Sequence, residues 1–258
     1  MEIGNKYMNN ITGHKLSVFL LKDGFYFAKS NLIAKDKYTV YQSDYVHITS
    51  ALELDNKEDF YKNAIFKYEL QGNKFDSVKI NFNVEKYTFV PNTLFDLGDL
   101  ETYYNFNVGV KELDEDIYYS FSPQANLYTI FAFNKEIVEF FETQYDNAEY
   151  VSGISDFIDF ALSDCKNFIS ENNYMIYCKI LNNYLDVVVL KDNMLFIANI
   201  FILKTNNDLV YYLLKPLSDL KLDGNTIYLN ICGDTQNLTS EIKILEKYIN
   251  NINFIEYF

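Results

Sequence analysis

The sequence predicts an α/β protein with mixed sheets, built from a β-β-β-α-β unit that occurs twice. Three observations carry this. The apolar runs Tyr174–Leu181, Tyr184–Leu190 and Met194–Leu203 are joined by two short polar turns. A helical pattern follows at 206–219, and the run Thr226–Cys232 ends at Gly233-Asp234. The front of the chain repeats that order with Lys15–Leu21, Phe25–Ser30, Tyr38–Ser43, a helix at 56–70 and a strand at 78–82. With 258 residues, 49 % of them hydrophobic, the chain can bury two cores. We expect an N-terminal lobe over 1–150 and a C-terminal lobe over 151–258.

Taken in order, residues 1–13 lack periodicity and read as an irregular lead-in. Lys22-Asp23-Gly24 between apolar runs is a hairpin signal, because Asp and Gly tolerate positive φ. Asp55 and Glu58 have capping-box spacing, and Phe60, Ala64, Ile65 and Tyr68 follow at helical intervals. Val78–Phe82 and Tyr87–Val90 read as strands, closed by Pro91. Leu94, Leu97, Leu100 and Tyr104 predict a helix over Thr93–Phe106. Ile117–Phe121 and Leu127–Phe133 form a hairpin across Ser122–Asn126. Asn134 caps a helix running to Tyr145, and Ser155–Phe168 is a further amphipathic helix. In the second half, Thr205 and Asp208 form a capping box ahead of a stripe of Leu209, Leu213 and Leu217. Pro216 predicts a kink or an end nearby, since it lacks an amide donor. The last helix spans about Thr239 to Asn250, and Phe254–Tyr257 adds a terminal strand.

Composition removes several function classes. The net charge is −14 and the chain has no Arg. A phosphate-neutralising basic stripe is absent, so neither nucleic acid nor an anionic membrane surface is expected as a partner. The longest apolar run, Leu195–Leu203, is far short of the ~20 residues of a membrane helix. Cys165, Cys178 and Cys232 lack the spacing of a disulfide framework or a zinc site, and read as buried thiols of a cytoplasmic protein. The acids of Lys111–Asp116 lack Ca²⁺-loop spacing and read as a solvated loop. No metal site is expected. His14 and His47 offer little for a triad. In Tyr118-Tyr119, strand neighbours face opposite ways, so one ring lies in the core and one on the surface. Tyr211-Tyr212 sits at the edge of a helical stripe.

A small set of segments carries a resemblance: Leu195-Phe196-Ile197-Ala198-Asn199-Ile200-Phe201, Asp208-Leu209-Val210-Tyr211-Tyr212-Leu213-Leu214, Cys232-Gly233 and Val90-Pro91-Asn92-Thr93-Leu94-Phe95. With them the chain resembles an uncharacterised family of Bacteroidetes proteins with an actin-like ATPase fold. The resemblance implies a two-lobed, duplicated actin-like (ribonuclease H-like) architecture and no established activity. Working members of that superfamily hold Mg-ATP between two hairpin turns built around Asp-x-Gly. Here the first turn offers Asp23 and Gly24 without that spacing. The second, around Asn182, has neither carboxylate nor glycine, and Asn182-Asn183 suits a type I′ turn. The adenosine-side loop is reduced to Gly233 and Asp234.

The expectation is therefore a non-catalytic actin-like domain, a pseudo-ATPase without a cofactor, acting on an unidentified protein partner. It would be a monomer or weak homodimer. The alternatives are a divergent Mg-ATP-dependent phosphotransferase or ATPase using Asp23, Gly24, Asn182, Gly233 and Asp234, and a small-molecule binding module using the interlobe cleft.

Overall fold

The structure is a computed structural model and describes residues 14–34, 37–48, 57–146, 148–167, 174–235 and 238–257. The expected lead-in at 1–13, the cap at Asp55 and the helix end at Phe168 lie outside those residues. In chain order the first elements are β1 (His14–Leu21), β2 (Gly24–Ala34), β3 (Lys37–Gln42), β4 (Val46–His47), α1 (Lys57–Lys67), β5 (Ser77–Phe82) and β6 (Tyr87–Pro91). Next come α2 (Leu100–Asn107), β7 (Glu115–Ser122), β8 (Leu127–Asn134), α3 (Lys135–Gln144), β9 (Glu149–Ser152) and α4 (Gly153–Asp164). The chain ends with β10 (Tyr174–Leu181), β11 (Tyr184–Lys191), β12 (Met194–Ile202), α5 (Asn206–Leu220), β13 (Tyr228–Gly233), α6 (Thr239–Leu245) and β14 (Asn251–Phe254).

The chain divides into two compact units. The described residues up to Ile80, with Glu136–Glu149, form the first. Its strands β3, β2, β1 and β5 are neighbours in that order, with β4 beside β2. β1 and β2 are antiparallel, and Leu21 faces Gly24 across the turn. α1 buries Phe60, Tyr61, Ala64 and Ile65, as its periodicity requires. Tyr61 packs edge-on to Phe141 of α3 at 5.2 Å. The phenol of Tyr145 donates to the Leu70 carbonyl at 2.7 Å and closes that side of the core.

Asn81–Lys135 and Tyr150–Tyr257 form the second unit. Its five-stranded sheet runs β12-β11-β10-β13-β14, its first four strands in the same order as β3-β2-β1-β5. β10 is antiparallel to β11 and parallel to β13, and β13 is parallel to β14. β10 and β11 are buried on both faces, and apart from Lys179 and Asp186 their buried positions are hydrophobic. The stripe Leu209, Leu213 and Leu217 of α5 packs with Ile176, Val187 and Leu229 of this sheet. At the start of α5 the Asp208 carboxylate accepts from the N–H groups of Lys204 and Thr205 at 2.7 and 2.9 Å. Those hydrogen bonds hold its pKa below the usual carboxylate value. A three-stranded antiparallel sheet, β6-β8-β7, completes the unit, with α2 over Val90, Ile130 and Ala132.

Several local expectations are corrected. The helix over Thr93–Phe106 begins only at Leu100, after two 3-10 turns at Asn92–Leu94 and Leu97–Asp99. The Asp96 carboxylate accepts from the Gly98 N–H at 2.8 Å, a local bond that competes with helix and leaves Leu94 and Leu97 exposed. As expected, α5 ends close to Pro216, at Leu220, and Lys221 takes a left-handed conformation beyond it. α6 is shorter than expected, and β14 begins at Asn251, ahead of the expected Phe254–Tyr257 strand. Asn182 is left-handed and Asn183 is not, so that turn is not type I′; Asp192-Asn193, at φ 53° and 58°, is the pair with two positive values. β9 went unread because four residues show too little alternation.

Candidate functional site

Asp23 and Gly24 sit in the first unit, at the β1–β2 turn. The Asp23 carboxylate accepts from the Tyr45 phenol at 2.5 Å. The Asp23 carbonyl accepts from the Ile48 N–H at 2.9 Å. A Cβ on Gly24 would lie 2.3 Å from the Val46 carbonyl oxygen and 2.9 Å from the Tyr45 ring. The glycine thus admits β4 and the loop before it, and the carboxylate is held by an internal donor.

Asn182, Gly233 and Asp234 come together in the second unit. β10 and β13 end side by side, with Ile180 paired to Gly233. Gly233 has φ +88°, and a Cβ there would lie 2.0 Å from the Ile180 carbonyl oxygen, so only glycine fits. The next residue closes on the hairpin from two directions. The Asp234 N–H donates to the Ile180 carbonyl at 2.8 Å, and its carboxylate accepts from the Asn182 N–H at 3.1 Å. The amide at the head of this turn therefore already faces an anion, and an incoming phosphate would meet like charge there.

Two pairs behind the turn lies a feature the sequence reading missed. Lys179 and Asp186 stand opposite each other on β10 and β11, only 1 % and 2 % exposed, with Nζ 2.8 Å from Oδ2. Lys179 also donates to Asn83 Oδ1 at 3.4 Å and to the Gly153 carbonyl at 3.3 Å. Its ammonium lies 5.2 Å from the Phe157 ring and 5.0 Å from the Tyr257 ring. Tyr257 is anchored by its phenol, which donates to Asp156 at 2.6 Å. Burial raises the pKa of Asp186, and the lysine opposes that rise. Gly153 has no room for a Cβ, which would meet Asn83 Oδ1 at 2.2 Å. The equivalent positions of the first hairpin, two pairs behind Leu21 and Gly24, are Phe19 and Tyr26, both buried aromatics. The hairpin itself does not call for charge at this register. A signal was present in the sequence, because Lys179 and Asp186 are equidistant from Asn182-Asn183 and must pair in any tight hairpin there.

The thiols offer no nucleophile. Cys165, Cys178 and Cys232 are free and buried. Burial pushes the Cys232 thiol up to about 12 and the Cys178 thiol well above its ordinary value, so both stay protonated at neutral pH.

Residues 4–252 match the profile of a family described as a protein of unknown function, DUF3822. The chain belongs to that family. A Bacteroides thetaiotaomicron protein with an actin-like ATPase fold and unknown function is similar to it, with a TM-score of 0.75 at 21 % identity, over 98 % of this chain and 94 % of that one. A PilM-PilN type IV pilus biogenesis complex gives a TM-score of 0.58 at 7 % identity, over 95 % and 89 %. No curated protein matches. These likenesses show that this DUF3822 chain has the actin-like ATPase fold, as the resemblance in its sequence implied.

Proposed function

We propose that this chain is a non-catalytic actin-like domain that acts through protein contacts and does not depend on nucleotide. The observation that carries the reading is the Asp234 carboxylate on the Asn182 N–H, an internal anion on the turn amide where a phosphate would need a donor. The engagement of Asp23 by Tyr45 supports it from the other turn. The occurrence of the fold in a PilM-PilN complex is consistent with a role in protein assembly. The test is a thermal-shift titration with Mg-ATP. We expect no Mg²⁺-dependent rise in melting temperature, whereas a nucleotide at a hundredfold excess over its Kd would add about 2.7 kcal/mol. A clear rise would overturn the reading in favour of a divergent ATPase using Asp23, Gly24, Asn182, Gly233 and Asp234.

The proposal extends to assembly and place. A net charge of −14 opposes self-association, so light scattering at low and moderate salt should find a monomer or a weak dimer. A stable higher oligomer at both salts contradicts this. Among the described residues no helix is long and apolar enough to cross a membrane. We place the chain in the cytoplasm, a reading supported by its free thiols. We also read 1–150 and 151–258 as the two products of a duplication, supported by the matching strand orders.

A further inference from the structure

We infer that Lys179 and Asn83 become joined by a side-chain isopeptide bond after folding, with Asp186 as the catalytic proton carrier and ammonia as the product released. Such a reaction needs an amine, an amide carbon beside it, a carboxyl group that can carry a proton, and the exclusion of water. All four meet here, within the second unit. The amine is Lys179 Nζ, 3.4 Å from Asn83 Oδ1, the oxygen bonded to the carbon it would attack. Reacting groups about 3–3.5 Å apart are in a near-attack arrangement. The amide is fixed in place. Its Nδ2 donates to the Asn81 carbonyl at 3.2 Å, and Gly153 closes on it, since a Cβ there would lie 2.7 Å from Asn83 Cγ. The carboxyl group is Asp186, with Oδ2 2.8 Å from Nζ.

Water is kept out on every side. Asn83 is only 3 % exposed, as deeply buried as the ion pair beside it. The Phe157 and Tyr257 rings, which meet edge to face at 5.4 Å, cover the ammonium. A lysine in such surroundings is the kind that serves as a nucleophile, because its charged form loses hydration.

The ion pair is the state before reaction. A proton passes from the ammonium to the Asp186 carboxylate, a transfer that burial favours because it raises the pKa of that carboxyl group. The neutral amine then adds to Asn83 Cγ, and the carbonyl π pair moves to Oδ1. When the adduct collapses, Oδ1 regains its double bond and the Cγ–Nδ2 bond breaks. Nζ goes from three protons to one. Nδ2 takes one of the two and leaves as ammonia; the other ends on Asp186, or departs with ammonia as ammonium. No oxidant, reductant or co-reactant is needed. An amide is a weak electrophile and the neutral pair is the minor form, so the bond forms slowly, long after folding. It ties the residue after β5 to β10 across 96 positions of sequence, a junction that unfolding cannot undo.

The test is intact-mass spectrometry of the full chain, freshly purified and after days at neutral pH, followed by proteolysis and tandem mass spectrometry. We expect the mass to fall by one ammonia, about 17 Da, and a branched peptide joining the Asn83 and Lys179 segments to appear. The branched peptide separates this bond from cyclisation of an asparagine, which loses the same mass. Asn83→Ala should give no branched peptide. Asp186→Asn should slow its appearance at least about tenfold, with urea denaturation reporting separately whether that variant folds. Should it not fold, Asp186→Glu takes its place, a carboxyl group set out of position that should also slow the bond. A wild-type chain that keeps its full mass and yields no branched peptide overturns the inference, whatever the variants do. Cross-linking at the wild-type rate without a carboxyl group at position 186, or with one displaced there, overturns the role of Asp186. The outcome does not depend on the response to Mg-ATP.

Discussion

Lys179→Met is expected to cost about 3–5 kcal/mol of folding stability, read from urea denaturation at neutral pH. The variant leaves the Asp186 carboxylate buried without its cation, and little else in the interior can replace it. The loss should depend on pH. Burial already raises the folded-state pKa of Asp186 above its unfolded value, and removing the lysine removes the counter-effect. A raised carboxyl pKa means that the folded state takes up the proton first, so folding is favoured as pH falls through that raised value. The gap between variant and wild type should therefore narrow on acidification. Lys179→Met with Asp186→Leu should recover most of the stability, because an apolar pair of similar volume avoids the desolvation of both ions. Phe19 and Tyr26 show that the equivalent register accepts such a pair. A single variant as stable as wild type would refute the account.

The second large effect is on the α5 stripe. Leu213 is fully buried against the five-stranded sheet, and Leu213→Ala should cost about 2–5 kcal/mol. Thr205→Ala, at the exposed start of the same helix, should cost only ~1 kcal/mol. Both are measured by the same denaturation series. If Leu213→Ala left stability untouched while binding to a partner was lost, the stripe would be an interface and not core.

The sequence made the strands and α5 legible because their apolar spacing matches one period at a time. Leu209, Leu213 and Leu217 recur every four residues, and their burial follows. Where a short polar bond competes with periodicity, the reading failed. Leu94 and Leu97 fit a helical stripe, yet Asp96 turns the chain first. At the candidate site, Gly233-Asp234 could be picked out as a turn, but not that its carboxylate closes on Asn182. The partners of Lys179 were invisible for a different reason. Asn83, Gly153 and Tyr257 lie far from it in sequence, and no local pattern predicts such meetings.

That dispersal bears on the route by which the chain folds. The β10–β11 hairpin is local and can close early, bringing Lys179 against Asp186 while both are still hydrated. The remaining partners arrive from Asn83 at one extreme and Tyr257 at the other. Water can leave the ammonium only when those distant segments have docked. Those partners span Asn83 to Tyr257 in sequence, so this interior completes itself only once that whole stretch has been made.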